Sequence, residues 1–180
     1  MKTVLRIALL AALAALVVWL WSVFFPSPEK IIRRQLDEIA KCASFTANES
    51  ALARLGAAQS LTGCFSTNAE VHIETRDAGQ HDLIGREQIM QTMVAAQSAL
   101  GSMNVKLLDL VVTVAPDKQS ADADLTVDAN VSGQPEAIVE QVKITFQKIN
   151  SQWLITRATT VRVLSILNFE PSRPPSIVWA

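Results

Sequence analysis

Apolar residues recur along this chain with periods that change at identifiable points. From Ile7 to Phe25 there is no period at all: nineteen residues carry no charge, and Ser22 is the only hydroxyl. At the α-helical rise this run spans roughly 28 Å, about one bilayer hydrocarbon core. Past Pro26 the pattern becomes helical. Ser27 reads as an N-cap with Pro28 at the first helical position, and Ile31, Ile32, Leu36, Ile39 and Ala40 return at helical spacing as far as about Ala43. Thr46 and Glu49 have the spacing of a capping box, which opens a second helix with Ala51, Leu52, Leu55 and Ala58 on one face and Gly63 as its stop. Over 68–76, Val71, Ile73 and Thr75 alternate with Glu70, His72, Glu74 and Arg76 as in a strand. Gly85 then opens a third helix with an apolar stripe of Ile89, Met90, Met93, Val94, Ala96 and Leu100.

After Gly101 the period falls to two and stays there. Four strands at about 103–114, 120–131, 136–149 and 152–164 form a meander, joined by turns at Ala115–Lys118, Ser132–Pro135 and Asn150–Ser151. The turns set the register. A two-residue turn at Asn150–Ser151 puts Phe146 opposite Ile155, Ile144 opposite Arg157 and Thr145 opposite Thr156. A four-residue loop at Ser132–Pro135 puts Leu125 opposite Val142, Ala123 opposite Ile144 and Asp124 opposite Lys143. Apart from Arg157, apolar meets apolar, which a one-residue slip would destroy. From Ser165 the period is lost. Pro171, Pro174 and Pro175 favour an extended segment, in which Phe169, Ile177, Val178 and Trp179 are costly to leave in water and are the expected partner-binding residues. The resulting organisation is a basic segment 1–6, a transmembrane anchor 7–25, a folded domain 27–164 and a Pro-rich tail 165–180.

Composition narrows the classes. At 180 residues and 19.6 kDa the chain has room for one domain with a core. Sixteen basic against 17 acidic residues, a net charge of -1, give no footprint for nucleic acid. Disorder is excluded by 49% hydrophobic and 18% charged residues. The mean hydropathy of +0.25 is high for a soluble domain, and the run 7–25 accounts for much of it. Lys2 and Arg6 precede that run, and Trp19, Trp21, Phe24 and Phe25 crowd its far end, where aromatic rings favour the lipid headgroup level. A cleaved signal peptide is the rival reading, but the run exceeds the usual ~7–15 apolar residues and no A-x-A-like site follows. The favoured expectation is an uncleaved single-pass anchor in the inner (plasma) membrane. Lys30, Arg33, Arg34 and Lys41 weigh against a cytoplasmic N-terminus, yet long domains translocate largely regardless of charge, so the domain is expected on the periplasmic, extracytoplasmic side.

Candidate chemistry is sparse. Cys42 and Cys64 suit an oxidising compartment, and a disulfide between them stays open, since it needs Cα atoms within roughly 7 Å and the ends of two hairpin helices lie apart. There is no C-x-x-C, and His72 and His81 lack ligand spacing, so neither a metal nor a cofactor is expected. Three charges interrupt apolar strand faces and are the weak catalytic candidates. Glu140 shares the face of Ile138, Val142, Ile144 and Phe146; Arg157 shares that of Trp153, Ile155, Val161 and Val163; Asp109 lies in a strand apolar on both sides. Glu140 and Arg157 fall roughly 13 Å apart along their strands, too far for a salt bridge. Such charges could form the polar floor of a hydrophobic pocket and move a proton. The favoured reading puts them at a rim or a subunit contact, paired or solvated. His72 among Glu70, Glu74 and Arg76 reads as a surface histidine.

The order of elements resembles the nuclear transport factor 2-like (SnoaL-like) superfamily, as a membrane-anchored member. The resemblance is carried by Phe65-Ser66-Thr67-Asn68-Ala69-Glu70-Val71, by Ile84-Gly85-Arg86-Glu87-Gln88-Ile89, and by Phe146-Gln147-Lys148-Ile149-Asn150-Ser151-Gln152-Trp153-Leu154-Ile155. It implies an α+β domain, a cone-like curved antiparallel sheet packed on about three helices, behind the transmembrane helix. It does not imply an activity, because the superfamily includes enzymes, ligand binders and scaffolds. A ketosteroid-isomerase-like site would need a tyrosine, and the chain has none. A scytalone-dehydratase-like site needs histidines with tyrosines. A limonene-epoxide-hydrolase-like site needs an Arg-x-Asp, which neither Arg157-Ala158-Thr159 nor Arg162-Val163-Leu164 supplies. No catalytic residue carries over. The expectation is a non-catalytic accessory or scaffold subunit that meets membrane lipid and protein partners or a second copy of itself. The alternative is a pocket for a small apolar ligand, worked by Glu140 or Asp109 with Arg157.

Overall fold

The computed structural model describes residues 27–75 and 79–161. Helix α1 spans Pro28–Ala43, with Glu29 in its first turn and Lys41 in its last, each at the end of the helix dipole that favours its charge. It buries Ile32 and Leu36. Helix α2 spans Ala51–Gly63 and is capped by Ser50, whose hydroxyl accepts the Ala53 N–H at 3.2 Å. The Thr46–Glu49 pair does form, Thr46 N–H donating to Glu49 Oε1 at 3.1 Å, but it closes a turn ahead of the helix rather than capping it. The buried face of α2 also differs from the expected stripe. Its fully buried residues, Ala58, Leu61 and Thr62, all lie in the C-terminal half, and Leu52 is left 80% exposed.

Strands β1 (Phe65–Thr75) and β2 (Gly79–Ile84) form a hairpin, followed by α3 (Arg86–Ala99). The meander is β3 (Met103–Val114), β4 (Ser120–Val131), β5 (Ile138–Ile149) and β6 (Gln152–Val161). All six strands make one curved sheet in the order β2-β1-β6-β5-β4-β3. The expected all-antiparallel sheet is corrected to a mixed one, because β1 lies parallel to β6. That pairing joins the first strand to the last, with the rest of the domain as the crossover, and nothing in local alternation announces it. Strand β2 was not expected as a strand at all. It is an edge strand with apolar residues only at its end, Leu83 and Ile84.

The meander register follows the turns. Asn150 and Ser151 both have positive φ, 49° and 66°, as a two-residue turn with the twist of its strands requires. Leu125 pairs with Val142, Ala123 with Ile144 and Asp124 with Lys143, while Phe146 faces Ile155. The helices cover one face of this sheet. There Ile32, Leu36, Leu61, Phe65, Ile89, Leu125, Phe146, Trp153 and Ile155 form one core, with Ala121 and Ala123 making room for the larger side chains. Among the described residues no helix is long and apolar enough to cross a membrane. The expected anchor, with Trp19, Trp21, Phe24 and Phe25, lies outside the described residues, as do Phe169, Ile177, Val178 and Trp179.

Candidate functional site

Two β-bulges decide where the candidate charges point. In β6 the register shifts between Thr145 and Phe146, so that Thr156 is the extra residue and Arg157 pairs with Thr145 instead of Ile144. Arg157 therefore leaves the helix-covered face and stands on the opposite one, its side chain 60% exposed. In β3 the register shifts between Leu108 and Val111, and Asp109 takes the left-handed conformation at φ 52°. Met103, Val105 and Leu107 face the helices before this bulge, and Leu110, Val112 and Val114 after it. This explains a strand apolar on both sides, and it leaves Asp109 exposed in the bulge. Glu140 does lie on the helix-covered face, half-buried and paired across the strands with Val127, near the end where Ile138 is already exposed. The three residues are not brought together. Arg157 and Glu140 occupy opposite faces, and β6 lies three strand spacings from β3, about 14 Å.

Arg157 instead completes a charged row across β2, β1 and β6. It donates from Nη2 at 2.7 Å and from Nε at 3.2 Å to Glu70 Oε2. Glu70 lies 3.8 Å from His72 Nε2, and His72 Nδ1 is 2.8 Å from Asp82 Oδ1. The Arg157 hydrogen bond, then its charge, holds the Glu70 carboxyl below the usual carboxylate range, with His72 adding to the effect. A carboxyl whose pKa falls on folding contributes stability above its unfolded pKa and loses it as pH drops through the folded value. For an exposed pair the contribution is small. We therefore expect the stability difference between wild type and Arg157→Gln to be largest near neutral pH and to shrink toward zero as acid protonates Glu70. Urea unfolding at a series of pH values measures this, and a difference constant with pH would contradict it.

Cys42 and Cys64 are both free thiols. Burial pushes both thiols up from their ordinary value; the neighbouring Cys64 adds to the rise at Cys42, while a Gln35 hydrogen bond and Arg86 oppose it at Cys64. Among the described residues no group of three or more His, Cys, Asp or Glu could hold a metal ion.

Among the described residues, three surface clefts are lined by none of Glu140, Asp109 and Arg157. One, of about 380 Å³, lies between the segment 44–49 and the ends of β3 and β4, and a second, of about 390 Å³, lies between α1 and the β5–β6 turn. The third, of about 530 Å³, runs between α2 and α3.

No family model matches the chain. No curated protein matches it in sequence. Solved structures do match in shape. A nuclear transport factor 2-like protein of unknown function from Pseudomonas putida aligns with TM-score 0.57 at 12% identity, over 76% of this chain and 87% of its own. A candidate scytalone dehydratase from Novosphingobium aromaticivorans aligns with TM-score 0.58 at 14% identity, over 74% and 84%. The yeast Ubp3-associated protein Bre5 aligns with TM-score 0.58 at 13% identity, over 76% and 97%. The fold is nuclear transport factor 2-like.

Within this nuclear transport factor 2-like cone, the polar groups that stand out are ones the hydrophobic pattern passed over. Arg54 of α2 donates from Nη1 to Gln97 O at 2.8 Å and from Nη2 to Thr46 O and Ala47 O at 2.9 and 3.3 Å. Its guanidinium also lies 5.4 Å from the centre of the buried Phe45 ring. Gln97 of α3 is only 3% exposed. Arg54 Nε and Gln97 Nε2 are buried without a hydrogen-bond partner. The one signal in the sequence is that Gln97 falls four residues after Met93 on the apolar side of the helix.

Proposed function

We propose that this chain is a non-catalytic accessory or scaffold subunit, anchored in a membrane by residues 7–25, whose folded domain and C-terminal segment contact partner proteins. One observation carries the reading: the interior of the cone is filled. Phe146, Ile32, Leu36 and Ile155 are fully buried there, and the charged residues that could have formed a pocket floor are dispersed or turned to solvent. Acid–base chemistry needs a positioned group within hydrogen-bond reach of a bound substrate. The similarity to Bre5 is in keeping with this, since that protein is described as a cofactor in complex with the yeast deubiquitinase Ubp3. The uncharged run Ile7–Phe25, with Lys2 and Arg6 before it, supports the anchor and a periplasmic domain.

The test is extraction of the full-length protein from its native membrane in mild detergent, followed by measurement of the particle's mass and composition. A stoichiometric complex that is lost on deleting Phe169–Ala180 and kept in Glu140→Gln supports the reading. A lone monomer or dimer, with Glu140→Gln abolishing a bound small molecule, replaces it with the ligand-pocket alternative.

A further inference from the structure

We infer that the groove between α2 and α3 binds a small aliphatic monocarboxylate, held by the N–H groups of Arg54 Nε and Gln97 Nε2. Three observations converge on this groove. It is a cavity of about 530 Å³ lined by Ala47, Ala51, Leu55 and Val94 together with Arg54, Gln97 and Glu49. Arg54 is a half-buried cation whose partners are backbone carbonyls and an aromatic ring, and among the described residues it forms no ion pair. Gln97, 3% exposed, and Arg54 each keep an N–H with no acceptor.

Buried donors without acceptors are rare in folded chains and call for an explanation such as a missing ligand. Both orphans are donors, so the group that answers them must be an acceptor. Arg54, a cation with no ion pair among the described residues, selects an anion, and a carboxylate offers two oxygens to two N–H groups. Glu49 at the rim, its carboxylate held by Thr46 N and Oγ1, disfavours a dianion such as phosphate. The alanine, leucine and valine walls fit an alkyl chain. Both nitrogens are covered by neighbouring atoms, and the terminal torsion of glutamine, which is broad and soft, lets its amide turn toward an incoming acceptor.

The probe is butyrate, added to ¹⁵N-labelled full-length protein in a non-ionic detergent, with butyramide as the neutral control. The readout is the Arg54 Nε–Hε resonance, assigned by its absence in Arg54→Gln. The expected result is a saturable shift with butyrate and none with butyramide. Gln97→Leu should weaken binding by about tenfold while leaving the urea midpoint unchanged or higher, since it removes a donor that is unpaired in the free protein. A merely structural glutamine would not separate the two effects. No shift with butyrate, an equal shift with butyramide, or unchanged affinity in Gln97→Leu would each overturn the assignment.

Discussion

Phe146→Ala is expected to lower the stability of the domain by about 3–5 kcal/mol, a large share of the ~5–15 kcal/mol typical of a folded domain. Phe146 is 0% exposed. On the helix-covered face its neighbours across the ladder are Ala121 on β4 and Ile155 on β6. Ala121 is small, and it cannot grow to fill the space a truncated ring would leave, so the loss combines transfer of the ring to water with the cavity left behind. Gln147, the next residue, is exposed on the other face, and Gln147→Ala should stay within about 0.5 kcal/mol. Urea unfolding of the full chain distinguishes them: the midpoint falls in Phe146→Ala with the slope unchanged. This measurement also bears on function. A loss below about 1 kcal/mol would mean that space already adjoins the ring, and the filled interior on which the scaffold reading rests would be wrong.

How far the sequence could be read depended on whether an element announces itself locally. The β4–β5 register, and the β5–β6 register from the turn as far as Phe146 and Ile155, were legible because a two-residue turn at Asn150–Ser151 and a loop at Ser132–Pro135 leave little freedom, and a slip of one residue would turn Leu125, Ile144 and Phe146 to water. The bulges were not legible. A polar Thr156 between Ile155 and Arg157 fits strict alternation as well as it fits a bulge, so alternation placed Arg157 on the apolar face. In β3 the signal was present but left the register open: apolar residues on both sides of the strand are what a face exchange at Asp109 produces, and aspartate is among the residues that tolerate positive φ. The parallel β1–β6 pair depends on the whole chain between the two strands. Gln97 and Arg54 were missed for a related reason. A polar residue inside an apolar stripe is read as the end of the stripe, and its burial appears only once α2 and α3 are seen to pack.

Gly85→Ala and Gly56→Ala should shift stability in opposite directions, although the chemical change is the same. Gly85 precedes α3 with φ 87° and ψ 148°, a region essentially reserved for glycine. Its N–H donates to Ala69 O at 2.8 Å and its carbonyl accepts from Ile89 N at 3.3 Å, so the residue is tied both to β1 and to the first turn of α3. A Cβ there would stand 3.4 Å from Thr67 O, a backbone atom that can give little way. Arg86 adds a second restraint, donating from Nε to Phe65 O at 2.9 Å and from Nη2 to the same oxygen. With both neighbours fixed, the backbone cannot relax to an ordinary φ, and Gly85→Ala should cost about 1–3 kcal/mol. Gly56 lies in the interior of α2, and a Cβ built on it meets nothing within 4 Å. There alanine limits the unfolded chain without straining the folded one, and a gain of about 0.5–1 kcal/mol is expected. Urea midpoints of the two variants should fall on either side of wild type. A Gly85→Ala midpoint at or above wild type would show that Gly85 is not held at positive φ, and the restraint that sets α3 against β1, and with it the wall of the α2–α3 groove, would have to lie in Arg86 alone.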